Sequence, residues 1–350
     1  MEFPGEKLIL KMWETLADKG VGSLLEPWHA KRIGKARTDA RRHEMLALAQ
    51  AQKEADDIRA GAARYVGYET VKPLAHTENR TRSDGRIEPV IDFDLISRTA
   101  TSIESSQAVK REVNVAKSLL RAEEELAHED QAPPDEQVDE DWLFSWRDHA
   151  SRVSSEDLQN LWGKVLAGEI KNPGTYSIRT LDFLKGLSKS EAEAIARVAQ
   201  FVIEGRIWRE KDDILIKNNS SFSELLTLQE IGILSGVDSI GLTTKYSSIA
   251  ENKYLRYLFA TNKMLIVENQ DKTKDLVSEI YLATAVGRQV FELANVAVNE
   301  EYIFSVAKDI ANKGYSVMVA DYKRTDSRGG HFFNACKIEP DDKAESRHSD

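Results

Sequence analysis

Four short segments with helical apolar periodicity, each opened by a turn or capping residue, follow one another between Asp135 and Arg209. Trp142 and Trp146 lie one turn apart on the first. Ser154 with Asp157 reads as the N-terminal cap of the second, which carries Leu158, Leu161, Trp162, Val165 and Leu166. Asn172-Pro173-Gly174 stops that helix, and Ser177 opens a third with Leu181 and Leu184 turned inward. Ser188 and Glu191 form a capping box for a fourth, whose apolar face holds Ile195, Val198, Val202 and Ile203. A stretch so patterned predicts a compact multi-helix module. Pro133-Pro134, just before it, is the clearest boundary in the chain.

The 350 residues suit about two domains. With 41% hydrophobic and 30% charged residues the composition is globular and excludes collagen-like, disulfide-scaffold and multi-pass membrane classes. Cys336, the single cysteine, has no internal disulfide partner. On a predicted strand it is expected to be buried. The start of the chain lacks the pattern of an export signal, which predicts a cytoplasmic protein.

Charge is distributed unevenly. The total is −10, from 48 basic and 58 acidic residues. Yet Trp28 to Arg64 carries nine Lys or Arg against five acids, whereas Arg121 to Asp141 carries ten acids and one base. The net figure is therefore a poor guide to what one surface attracts. Ahead of the basic stretch, Gly5 to Asp18 reads as an amphipathic helix with Leu8, Ile9, Met12, Trp13 and Leu16 on one side. The basic stretch itself is Ala-rich and predicts a long, projecting or loosely packed helix from about His29 to Ala63. Together they form a helical arm over residues 1–64. Residues 65–134 read as a linker region containing a helix from about Ser102 to Leu126 and then the acidic stretch.

The module is expected to span residues 135–215 and to be followed by an α+β region at 216–340 and a disordered tail at 341–350. Phe222 to Leu234 reads as helix, with two strands at Leu255–Phe259 and Met264–Val267 around a polar turn. Thr284 caps a helix bearing Val286, Val290 and Leu293, Tyr302 to Asn312 forms another, and strands are expected at Tyr315–Tyr322 and His331–Ile338. The expected fold is mainly α, with a smaller α+β C-terminal region.

The block Leu161-Trp162-Gly163-Lys164-Val165-Leu166-Ala167-Gly168-Glu169-Ile170, with Pro173-Gly174, Ser177, Arg179-Thr180-Leu181 and Leu187-Ser188 after it, resembles the bacterial family known as domain of unknown function 2806. The likeness runs from Trp142 to Leu234. Pro27-Trp28-His29-Ala30-Lys31-Arg32-Ile33 and the amphipathic start are similar to N-terminal segments of that family and of some abortive-infection proteins. The resemblance implies a bacterial or prophage setting and a link to phage defence, and brings no reaction, cofactor or catalytic residue.

Trp142, Trp146 and Trp162 stand beside aliphatic residues at helical spacing, so core packing accounts for them better than a binding platform. The apolar face of the first helix offers a surface for docking, within the chain, onto a partner or onto a second copy. Peripheral contact with the inner membrane is the weaker alternative, because the polar face mixes both signs. Lys31, Arg32, Lys35, Arg41 and Arg42 offer phosphate contacts, although the acidic stretch supplies an internal partner for them. Asp321-Tyr322-Lys323 at a strand end is similar to the acid–x–Lys end of metal-dependent nuclease sites, with Asp309 as the candidate second acid. The seven histidines show no metal-ligand spacing, so no cofactor is predicted, and Mg²⁺ or Mn²⁺ enters only with the nuclease reading. The leading expectation is a non-enzymatic interaction or assembly protein of phage defence, docking through its N-terminal arm. The alternative is a nucleic-acid-processing, nuclease-like protein using the basic arm and the Asp321/Lys323 region.

Overall fold

A computed structural model describes residues 5–20, 37–60, 62–65, 71–73, 93–129, 131–239, 241–324 and 329–341. The chain divides into two compact units, Met1–Gly174 and Thr175–Asp350.

The first unit is helical. Helices α1 (Glu6–Asp18), α2 (Arg37–Arg59) and α3 (Phe93–Leu126) are followed by α4 (Glu140–Ser151) and α5 (Glu156–Lys171). A two-stranded ribbon, β1 (Ala63–Tyr65) against β2 (Val71–Pro73), lies between α2 and α3. The spine is the 34-residue α3, along which α2, α4 and α5 pack. Its second half supplies Val113, Ala116, Leu119, Leu120 and Leu126, all buried. Gly163 of α5 faces it. A Cβ there would stand 2.5 Å from the Arg121 Cβ and 2.9 Å from the Ala122 nitrogen, so only glycine lets the two helices approach this closely. Trp142, Trp146 and Trp162 are buried as the periodicity predicts, and the Trp146 indole N–H donates to the Trp162 carbonyl at 2.9 Å.

The second unit alternates helices with antiparallel strands. After α6 (Ile178–Gly186) and α7 (Lys189–Ala199) come β3 (Arg206–Trp208), α8 (Asp212–Lys217) and α9 (Phe222–Glu230). Strands β4 (Leu234–Ser235), β5 (Leu242–Tyr246), β6 (Tyr254–Phe259), β7 (Lys263–Asn269) and β8 (Leu276–Ala283) follow. Helices α10 (Ala285–Ala294) and α11 (Glu300–Asn312) precede β9 (Ser316–Arg324) and β10 (Gly330–Ile338). One sheet groups β3, β4 and β5 around β8, and the other runs β10-β9-β7-β6, antiparallel throughout. The helix starts are chemically defined: Ser177, Ser188, Thr284 and Asn299 each accept a backbone N–H, and Ser188 with Glu191 completes the capping box.

Several expectations change. The cap of α5 is Ser155, one residue later than Ser154, with its hydroxyl accepting from the Leu158 N–H. The α+β part is as large as the helical part, and the boundary at Gly174 falls inside the span 135–215 read as one module. Apolar periodicity shows that a helix has a buried face but not which neighbour covers it: α5 packs on α3, whereas α7 packs on α9 and α10. The α+β unit begins before 216, because β3 pairs with β8 in the register Trp208↔Ile280. The helix expected from about Ser102 to Leu126 is α3, which begins earlier, at Phe93; residues 66–70 and 74–92 of the expected linker region lie outside the described residues. The helix read as projecting or loosely packed is α2, which packs along α3 and buries Leu48, Ala55 and Ile58, since alanines let two helices come close. Cys336 is exposed on β10, which lies at the edge of its sheet. Of the tail, residues 342–350 lie outside the described residues.

Candidate interaction site on the C-terminal sheet

The β10-β9-β7-β6 sheet has two unlike faces. Side chains alternate along each strand, and the register fixes which of them share a face. Tyr254 and Leu258, Leu265 and Val267, and Val317 and Val319 occupy one face and are buried. Helix α11 covers that face, with Lys263 at its end reaching Glu300 of the helix at 3.3 Å. The opposite face carries Leu255, Tyr257 and Phe259 from β6, Met264 and Ile266 from β7, Met318, Ala320 and Tyr322 from β9, and Phe332 from β10. Met264, Ile266 and Ala320 form its centre, with Leu255, Tyr257, Met318 and Tyr322 packed around them and partly exposed. The Phe259 ring lies 5.0 Å from that of Tyr322 and 6.4 Å from that of Tyr257. Among the described residues, α11 is the helix that packs extensively on this sheet, and it lies on the other side.

Exposure is greatest at the two edge strands, β6 and β10, while Met264, Ile266 and Ala320 between them are buried. Phe259 is 38% exposed, Phe332 54% and Phe333 52%. Two adjacent phenylalanines on a strand point to opposite faces, so both faces of β10 present an aromatic ring to solvent. Lys253, Arg324 and Lys337 are each paired with a carboxylate, Glu268 at 2.9 Å, Glu292 at 2.9 Å and Glu339 at 3.0 Å. The result is an apolar, aromatic, nearly neutral surface. Nothing singled out in the sequence pointed to Phe259, Phe332 or Phe333. The available signal was the doublet Phe332-Phe333, because a strand with one covered face cannot bury both rings.

The residues proposed from sequence lie elsewhere. Leu8, Ile9, Met12, Trp13 and Leu16 are buried within the first unit, where α1 meets α3 and α5. The Trp13 indole N–H donates to the Glu123 carboxylate at 2.6 Å. That docking face is therefore taken up by the chain itself. Lys31, Arg32 and Lys35 lie outside the described residues, as do the side chains of Arg41 and Arg42. Among the described residues, acids of the acidic stretch pair with Lys19, Arg121 and Lys171.

Asp321 has both carboxylate oxygens engaged, one by Lys263 at 2.9 Å and the other by the Asn334 amide at 2.8 Å. Those two hydrogen bonds, Asn334 the larger influence, hold its carboxyl below the ordinary range. Asp309 is paired with Lys211 at 2.6 Å. It stands nine residues along α11 from Glu300, the neighbour of Lys263, which is about 14 Å at 1.5 Å per residue. Lys323 is exposed on the strand carrying Asp321. The three nuclease candidates thus do not converge, and among the described residues no group of three His, Cys, Asp or Glu is arranged to hold a metal ion.

One polar cleft of about 370 Å³ lies between α7 and α9, lined by Ser190, Glu191, Asn219, Ser223 and Thr227. Arg197 and Glu224 close on each other there in an ion pair, which leaves the cleft without a free charge from that pair. Among the described residues no helix is long and apolar enough to cross a membrane.

No curated protein and no solved structure matches the chain. Residues 98–216, about a third of the sequence, match the family described as "Protein of unknown function (DUF2806)", a match that supports the resemblance drawn from the Leu161–Ile170 block.

Proposed function

We propose that this protein is a non-enzymatic interaction or assembly protein that holds a polypeptide partner on the open face of its C-terminal sheet. The observation that carries this reading is the aromatic strip of Tyr257, Phe259, Tyr322 and Phe332, partly to half exposed, on a face where among the described residues no helix packs extensively. Contiguous apolar surface of this kind is costly to leave in water and marks a place where another surface docks. Its rim favours polypeptide over nucleic acid. Phosphate binding requires unneutralised Lys and Arg, whereas Lys253, Arg324 and Lys337 are already paired with carboxylates. The bacterial, phage-defence setting implied by the resemblance belongs to this proposal, as does the cytoplasmic location expected from the sequence. The docking surface moves from the N-terminal helix to the C-terminal sheet.

The test is a photo-crosslinking residue in place of Phe259 in the full chain, expressed in the cell that makes it, with Lys185 on α6 as an exposed control position. Discrete polypeptide adducts from position 259, absent from position 185, are expected. Adducts to nucleic acid alone, or none, would refute the proposal.

A further inference from the structure

We infer that the free edge of this sheet takes a second copy of this chain, joined β10 to β10 in antiparallel fashion so that two four-stranded sheets become one of eight. This goes beyond the interaction reading above, because edge pairing leaves the face of Tyr257 and Phe259 open. Strand β10 is nine residues long and stands at the end of its sheet, and among the described residues no strand pairs with its outer edge. His331 to Lys337 are all exposed, so neither face of the strand is covered. An uncapped edge of this length is a template for strand addition.

The direction of the backbone groups selects one pairing. The Tyr322 N–H donates to Asn262 at the β7 side at 2.9 Å, so its neighbours Asp321 and Lys323 point their hydrogen-bonding groups towards β10. Opposite these stand Phe333 and His331, which leaves Phe332 to direct its N–H and C=O to the free edge. Beyond Phe333 the ladder shifts at a bulge containing Asn334, whose φ is 53°, and resumes at Cys336 opposite Val319. By the same alternation Cys336 bonds inward and Lys337 turns outward. The extra residue therefore changes the phase of the strand halfway along it. Two such strands stay in phase over their whole length when their bulges face each other across a two-fold axis between Asn334 and Ala335.

That register has chemical consequences. Phe332 of one copy lies opposite Lys337 of the other, both on the open aromatic face, and Phe333 lies opposite Cys336 on the other face. The ammonium of Lys337 meets an aromatic ring rather than a second lysine, which suits a cation–π contact. Like charges are never opposed between 330 and 338. The two-fold arrangement is closed, because each copy uses its β10 edge once, so pairing ends at two chains instead of propagating. Two nine-residue strands and four half-exposed phenylalanines make a small interface, so the dimer is expected to be concentration-dependent.

The test uses the register. Cys336 is the only cysteine, so wild-type chain can be mixed with a tagged F333C/C336S chain and oxidised. A disulfide joining position 333 of one chain to Cys336 of the other is expected in excess over both homodisulfides, because directly opposed positions bring the Cα atoms within disulfide reach. In light scattering the wild type is expected to double its mass as concentration rises. Lys337→Pro is expected to remain at the mass of one chain, since it removes an N–H that points away from its own sheet and leaves the β9–β10 ladder intact. An unchanged circular dichroism spectrum would show that this variant folds. A wild type of single-chain mass at every concentration, or no excess of the mixed disulfide, would overturn the second-copy assignment. If photo-adducts to other polypeptides persisted at Phe259 in that case, the interaction reading would stand without it.

Discussion

The two units bury their aromatic residues in chemically different ways. Five of the six tryptophans precede Gly174, whereas eight of the ten tyrosines follow it. In the helical unit the indole N–H of Trp13 has a carboxylate and that of Trp146 a carbonyl. In the α+β unit Trp208 stacks on Tyr246 with centroids 6.0 Å apart, but the Trp208 indole N–H and the Tyr246 and Tyr315 hydroxyls have no protein hydrogen-bond partner. A helix interface is set by side chains, so a polar ring atom can be matched to an acid such as Glu123 or to the second lone pair of a helical carbonyl such as that of Trp162. The indoles of Trp13 and Trp146 are matched, while the second unit retains unmatched interior groups on Trp208, Tyr246 and Tyr315 and a sheet face on which, among the described residues, no helix packs extensively.

Alkali should break this comparison most strongly. Burial raises Tyr254 to about 12 and also lifts Tyr246, Tyr281, Tyr302 and Tyr315 above the ordinary value of 10.0, all in the second unit. A group whose folded pKa is raised contributes stability below its unfolded pKa and loses it as pH rises through the folded value. Between about pH 10 and pH 12 the second unit should therefore unfold before the first. Tyrosinate absorbance would rise while tryptophan fluorescence, which reports mostly the first unit, keeps its folded spectrum. Simultaneous loss of both signals would show that the units do not differ in this respect.

Gly163→Ala should have the next largest effect and reverses the usual sign. In a free helix alanine is better than glycine by about 1 kcal/mol. Here the added methyl meets α3, and a loss of about 1–3 kcal/mol in denaturant unfolding of the first unit is expected. A gain would mean that α3 and α5 are not in close contact. The smallest effect is expected at Tyr246→Phe, which removes an unmatched hydroxyl and keeps the ring on Trp208. Stability should stay level or rise by up to about 1 kcal/mol, and a loss larger than that would show that the hydroxyl has a partner in solution.

Much of the secondary structure was legible because its causes are local. The capping box at Ser188/Glu191, the caps at Ser177 and Thr284, and the turn between β6 and β7 all follow from residues within a few positions of each other. The site was less legible. Asp321 and Lys323 share a strand, which was visible, but the partners that engage Asp321, Lys263 and Asn334, arrive by strand pairing over 58 and 13 residues. Helix α1 was correctly amphipathic, yet the sequence left its occupant open, and the answer lies 110 residues away at Glu123. Cys336 was expected inside because strands bury alternate residues, an argument that fails on an edge strand open on both faces.

By itself the sequence determined where helices begin, which of their faces are apolar, that strands dominate the last hundred residues only in part, and that charge is segregated along the chain. These depend on periodicity and capping, whose range is one or two turns. Tertiary structure decided which apolar faces find cover. It gave that of α1 to α3 and α5, closed one face of the C-terminal sheet with α11, and left Tyr257, Phe259, Tyr322 and Phe332 on the other. Burial is a property of two surfaces brought together, and a periodic pattern specifies only one of them.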